Sequence, residues 1–195
     1  MVILDGYSKD PTIPAVVPDE RQGILDVMQL LLDRGHTRIA YLGEQDREGA
    51  AATLRRDAYR EAMYAASLRI DKGWEIECDG QYKDAVSAAH TLIESAEPTA
   101  ICCYNDLRAH AVYRAARQLG LNIPEDLSVV GFDNQELIAP LLMPPLTTVA
   151  LPHSAMAQWA VSALLDEKAD SDYSHYPLRF RCPVVERDSV AEPKG

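Results

Sequence analysis

Four polar side chains stand where chain geometry could put them to use on a ligand: Asp133, Asn105, Arg55 and Asp5. Asp133 follows the apolar run Leu127-Ser-Val-Val-Gly-Phe132, and an ionised carboxylate there is an acceptor with room for several hydroxyl donors. The same residue suits a turn closed with Asn134, so position alone supports both roles. Asn105 ends the apolar run Thr99-Ala-Ile-Cys-Cys-Tyr104 and offers a donor and an acceptor to a hydroxyl that needs both. It could instead cap the helix that follows, although Asp106 could cap as well and so release it. Arg55 brings a planar fork of donors to the first turns of a helix, where a surface pair with Asp57 or Glu61 is the alternative. Asp5 ends the short apolar run Val2-Ile3-Leu4 in the same manner.

Nothing around these residues points to covalent chemistry. The stretch Gly43-Glu-Gln-Asp-Arg-Glu-Gly49 lacks the Lys-Ser/Thr of a phosphate-binding loop and carries acids that would repel phosphate; no G-x-G-x-x-G motif is present. His36, His90, His110, His153 and His175 are scattered, with no H-E-x-x-H pair, and no G-x-S-x-G elbow supplies a nucleophile. Neither a metal site, a cofactor nor a catalytic constellation is expected.

The elements that must hold these side chains alternate between strand and helix. Residues 99–134 read as a buried strand, a polar turn, an amphipathic helix with Ala109, Val112, Tyr113, Ala116 and Leu119 on one face, and a second buried strand. Both polar turns fall at the carboxyl ends of strands, the edge where open α/β sheets bind ligands. Upstream, helices are predicted over 19–34 and 51–67, a strand over 38–42, a polar, flexible loop over 43–49, a weaker strand over 74–79 and a helix over 83–96. Downstream, prolines crowd 137–145 into a loop or broken helical turn. A helix over 154–167, a polar linker over 170–174, a last strand over 178–185 and a frayed tail over 191–195 complete the reading. The alternation defines an α/β fold with a doubly wound parallel sheet.

Composition narrows the partners. The chain has 195 residues and a net charge of −11, with no polybasic cluster, which argues against its gripping a phosphate backbone or an anionic membrane by itself. Cys78, Cys102, Cys103 and Cys182 are too irregularly spaced for a disulfide scaffold or a zinc site and read as small buried hydrophobes in a reducing cytoplasm. No secretory signal and no membrane-spanning stretch are recognisable.

Six segments also carry a resemblance: RGHTRIAYLG at 34–43, the Arg55 that follows, PTAICCYND at 98–106, GLNIPEDLSVVGFDN at 120–134, PPLTTV at 144–149 and VVERDSV at 184–190. In this order and spacing the chain resembles the effector-binding core of LacI/GalR transcriptional regulators, a periplasmic-binding-protein type I fold with one lobe complete and the other partial. The resemblance implies a C-terminal lobe of residues 18–150 plus 176–190, a remnant of the N-terminal lobe in 1–17 plus 151–175, and no DNA-binding domain in this chain. It implies a small polar effector, a sugar or sugar derivative, held in an inter-lobe cleft by Asp133, Asn105, Arg55 and Asp5, with DNA binding modulated through an absent helix-turn-helix domain. It further implies a homodimer that pairs through Leu137, Ile138, Leu141 and His110, local packing being the alternative for the leucines. A solute-binding protein of sugar transport shares the fold and stays open, as does, more remotely, a flavodoxin-like enzyme.

Overall fold

The computed structural model describes residues 1–45, 50–165 and 176–194. The chain divides into two compact units, one of Met1–Asp19 with Leu151–Cys182, the other of Glu20–Ala150 with Pro183–Gly195.

The larger unit carries the candidate site. Its strands are β3 (Ile39–Glu44), β4 (Glu75–Cys78), β5 (Ala100–Cys103), β6 (Ser128–Asp133), β7 (Thr147–Ala150) and β9 (Val184–Val185). They run β4-β3-β5-β6-β7-β9, all neighbours parallel except β9, which lies antiparallel to β7. Helices α1 (Glu20–Asp33), α2 (Ala50–Ala65), α3 (Tyr82–Ala96) and α4 (Asp106–Gln118) cover it. Alternation along the strands decides which helices each face receives. Ala40, Leu42, Ile101, Cys103 and Val129 pack in one cluster with Ala89 and Leu92 of α3 and Ala109 and Val112 of α4. Ile39, Tyr41, Cys102, Val130 and Phe132 are equally buried at the alternate positions. On that side Tyr41 stacks on Tyr59 of α2 with ring centroids 5.2 Å apart, and the Tyr59 hydroxyl donates to Ile39 O at 2.8 Å. Near-continuous apolar runs are what a parallel sheet covered on both faces requires. The edge strand β4 is fastened to α2 by charge: Arg60 pairs with Glu75 and Arg56 with Glu77.

The smaller unit holds β1 (Ile3–Leu4), β2 (Ala15–Pro18), β8 (Leu178–Phe180) and α5 (His153–Leu165). Its three strands pair in parallel in the order β1-β2-β8. Val16 packs there with Met156 and Ala160 of α5.

The strand expected over 178–185 is two strands in two different sheets. Leu178–Phe180 pairs with β2, and Phe180 O accepts from Asp19 N at 2.8 Å, whereas Val184–Val185 pairs with β7. Pro183 stands between them; lacking an N–H it cannot continue a ladder, and its carbonyl instead accepts from Ala150 N at 2.8 Å. The boundary expected at 176 therefore falls at 183. The tail is not frayed over its described part: Ala191 N donates to Ser128 Oγ at 3.1 Å, and Lys194 pairs with Asp126. Two strands the sequence reading omitted, β2 and β7, are short runs flanked by prolines. Residues 137–145 contain a single 3₁₀ turn, Ala139–Leu141. The expected loop over 43–49 is described only to Gln45, and the linker over 170–174 lies outside the described residues.

Candidate functional site

Parallel pairing brings two of the sequence candidates side by side. Cys102 of β5 is in register with Val130 of β6, and three residues further along each chain stand Asn105 and Asp133, on the carboxyl tips of adjacent strands. Arg55 reaches the same place from α2: its Nη1 lies 3.4 Å from Asp133 Oδ1 and donates to Tyr104 O at 2.6 Å. Asp5, in the smaller unit, is exposed, has φ of 56° and donates its N–H to Val16 O at 2.9 Å.

Asn105 is the helix cap, which corrects the expectation that Asp106 could take that role. It sits at φ −153° and ψ 177°, outside the helix, and its Oδ1 accepts from Arg108 N at 2.9 Å. Its Nδ2 donates to none of the described residues. Asp106, already helical, is wholly buried and turns toward the sheet, where its oxygens accept from Thr148 Oγ1 at 2.5 Å and Gln135 N at 2.7 Å. Burial pushes this carboxyl up to about 6, against the lowering effect of those two hydrogen bonds.

Arg55 is not a surface residue paired with Asp57 or Glu61, because a buried partner from α1 claims it. Nε donates to Glu20 Oε2 at 2.5 Å and Nη2 to Glu20 Oε1 at 3.2 Å, the two-pronged geometry that suits guanidinium and carboxylate. Two aromatic rings lie against it: Phe132, with Cζ 3.7 Å from the ring centroid, and Tyr104, at 4.6 Å. Burial alone would lower the guanidinium pKa; the hydrogen bond and charge of Glu20, with the charge of Asp133, outweigh it and leave it raised. The arginine is therefore a fixed cation.

The tip of β6 is a strained turn. Asp133 and Asn134 have φ of 102° and 54°, a region unfavourable for side-chain-bearing residues and more tolerable for Asn than for most. Side chains hold it: Gln135 Nε2 donates to Asp133 Oδ2 at 3.1 Å, and Arg187 Nη2 donates to Asn134 Oδ1 at 2.7 Å. Close below, Gly131 leaves room for the Asp106 carboxylate; a Cβ there would collide with Asp106 Oδ1 and come within 2.8 Å of Leu146 Cδ2.

Sequence reasoning missed Glu20, Tyr104, Phe132, Asp106 and Arg187 as members of this assembly. Glu20 follows β2 almost directly, so recognising Ala15-Val-Val-Pro18 as a strand would have exposed it as another strand-tip acid. For Arg187, more than fifty residues from the turn it holds, no local signal existed.

The arrangement offers fixed acceptors and an amide, and among the described residues no nucleophile–base pair stands beside them. Among the described residues no group of three or more His, Cys, Asp or Glu could hold a metal ion. No described helix is long and apolar enough to cross a membrane. His110 is exposed and stacks on Tyr82 at 5.3 Å; Leu137 and Leu141 are exposed and Ile138 half-buried.

An open, mostly parallel α/β sheet with a polar constellation on its carboxyl tips presents that edge as the place for a ligand. Comparison with known proteins makes this specific: residues 28–190 match the periplasmic binding protein-like domain. The HTH-type transcriptional repressor PurR of Photobacterium profundum is 31% identical over 193 residues, covering 98% of this chain and 57% of the repressor. A LacI-family regulatory protein from Chloroflexus aggregans superposes with a TM-score of 0.85 at 26% identity, covering 97% of this chain and 68% of that one. The transcriptional regulator CelR, solved as a cellobiose complex, does so with a TM-score of 0.78 at 26% identity, covering 96% and 64%. The chain belongs to the periplasmic binding protein-like domain family, in the form found in LacI-type transcriptional regulators. It spans about 57% of the length of the repressor it matches, within the effector-binding part.

Proposed function

We propose that this chain senses a small hydroxyl-rich effector, a sugar or sugar derivative, for a LacI-type regulator acting in the cytoplasm. Asp133 accepts from ligand hydroxyls, the free Nδ2 of Asn105 donates to them, and Arg55 orients Asp133. Support comes above all from one observation: Asn105 and Asp133 top neighbouring strands in register, with Arg55 pinned 3.4 Å from the carboxylate. CelR, solved with cellobiose, adds support for the carbohydrate class.

Binding rather than bond-making is then the activity. An effector with different affinity for two arrangements of a regulator shifts their populations, and DNA affinity follows by linkage. Operator recognition belongs to a part of such regulators that these 195 residues, with a net charge of −11, do not contain. Leu137, Ile138, Leu141 and His110 are assigned to a homodimer contact.

A thermal-shift panel of neutral sugars, cellobiose among them, tests the effector reading. Asp133→Ala removes a charged acceptor worth about 1.5–3 kcal/mol, so the best sugar should bind roughly tenfold to a hundredfold more weakly. An unchanged dissociation constant would remove Asp133 from the site.

A further inference from the structure

A cavity of about 600 Å³ lies in the larger unit, at the edge of the sheet opposite the strand tips, and has the size of a cleft that holds a small molecule. Arg38, Thr99 and Asp126, which line it, come just before β3, β5 and β6, so it stands at the amino ends of those strands. Between the two edges runs α4, about 20 Å long, from Asp106 beside the strand tips to Gln118 near the cavity. Part of the lining is apolar: Ile93, Leu119 and Leu121 belong to it and pack into the core behind.

The amino ends of parallel strands are also where the preceding helices finish. Glu94 lies in the last turn of α3, Glu97 is its C-cap with φ of 42°, and Leu119 is the C-cap of α4. Two helices therefore end at the cavity, and a helix carboxyl end favours a cation. The side chains carry the same sign. Four carboxylates line the cavity, Glu94, Glu97, Glu125 and Asp126, against two cations, Arg38 and Lys194. Lys194 pairs with Asp126 at 2.6 Å, and Arg38 Nε donates to Glu97 O at 3.2 Å. The carboxylates of Glu94, Glu97 and Glu125 have no hydrogen-bond or ion-pair partner among the described residues. His36 adds no charge. Burial lowers its pKa, and its Nε2 donates to Ala191 O while Nδ1 accepts from the Thr99 hydroxyl, each at 2.9 Å.

We propose that this cavity is a second ligand site, separate from the strand tips, and that it takes an organic ammonium ion, a primary amine on an aromatic or short aliphatic body. The body packs on Ile93, Leu119 and Leu121, and the ammonium offers its three donors to the unpartnered carboxylates. A carboxylate on the same body meets the wrong sign from side chains and helix ends alike.

The test titrates the 195-residue chain with phenethylamine and with 3-phenylpropionate, which share a ring and a two-carbon arm but carry opposite charge at neutral pH. Amide nitrogen–proton spectra at millimolar ligand locate the binding. Phenethylamine should move the amides of Glu97, Leu121 and Glu125 and leave those of Asn105 and Gln135 in place. It should bind on the order of tenfold or more tightly than 3-phenylpropionate, the worth of a hydrogen bond to a charged group. Glu94, Glu97 and Glu125 are exposed, so changing all three to Gln removes charge without touching the core, and the preference for the amine should fall to about parity. Phenethylamine that leaves the cavity amides unmoved overturns the proposal, as does 3-phenylpropionate binding there as tightly. A folded triple variant that keeps the full preference overturns it too. Should that variant not fold, the shift map and the amine-to-carboxylate ratio of the wild type decide the matter.

Discussion

Replacing Gly131 by alanine should cost stability and ligand affinity together, because the missing side chain is what lets Asp106 lie against the sheet. The added Cβ would collide with Asp106 Oδ1, approach Leu146 Cδ2 to 2.8 Å and Thr148 Oγ1 to 3.2 Å. Two of these neighbours cannot simply swing away. Asp106 is held at both carboxylate oxygens, by Thr148 and by Gln135 N, and Thr148 lies in the middle of β7. Overpacking a filled core by a methyl group costs about 1–3 kcal/mol, and with held neighbours the upper half of that range is expected. Urea unfolding measures it. The two tryptophans divide between the units, Trp74 against the core of the larger and Trp159 against that of the smaller, so a Trp159→Phe background leaves Trp74 as sole reporter. With a urea slope of about 2 kcal/mol per molar, the midpoint should fall by roughly 1 M at unchanged slope. Gly80→Ala is the control, since among the described residues its Cβ meets only Glu44 Oε1, at an ordinary 3.8 Å. If Gly131→Ala and Gly80→Ala unfold at the same urea concentration, the close-approach argument is wrong.

Asp106 carries a pH signature. Burial raises its carboxyl from 3.8 to about 6, so the folded state holds its proton more tightly than the unfolded chain; the contribution is present in full below the unfolded value and lost as pH rises through 6. Asp106→Asn should remove up to ~3 kcal/mol of stability change between acid and neutral pH. Equal pH slopes for variant and parent would refute it. For the dimer contact, Leu137→Asp with Leu141→Asp, at positions 84% and 67% exposed, should shift sedimentation from dimer to monomer without loss of the folded far-UV spectrum. A wild-type chain that sediments as a monomer at concentrations of tens of micromolar would remove the assignment.

Much of the architecture was legible because period and punctuation agree. Thr99 to Asn134 reads as strand, helix and strand since its apolar residues switch from a continuous run to helical spacing and back, and the observed β5, α4 and β6 follow that switch. The tips of β5 and β6 were visible as polar pairs after apolar runs. What a chain cannot display is pairing between distant segments. Leu178 to Val185 looks like one strand because apolar residues recur through it on a short segment; that its two ends join different sheets depends on partners some one hundred and sixty and thirty-five residues away. Glu20 and Arg55 are thirty-five residues apart and meet only because α1 and α2 pack on one face. Composition gave no hint that Arg55 was occupied, since Asp57 and Glu61 stood nearer in sequence and offered the simpler partner.

The segment that returns through β9, the recognisable ending VVERDSV, shows how a distant stretch can hold the candidate strand-tip turn in place. Ser189 Oγ donates to Val129 O at 2.6 Å and accepts from Thr147 N at 2.8 Å, joining β6 to β7. Arg187 exchanges two hydrogen bonds with the Thr147 hydroxyl, its N–H donating and its carbonyl accepting, and sends its guanidinium to Asn134. From the other side Asp106, on the first turn of α4, holds Gln135 N and Thr148. The turn at Asp133 and Asn134, with its unfavourable backbone, is thus fixed by two elements, one before it and one after it in the sequence. A carboxylate held this way does not have to be ordered when a ligand arrives, so the ordering cost of association falls chiefly on the ligand. The distant motif and the local one are therefore parts of a single device, and loosening either should weaken binding without removing any atom that touches the effector.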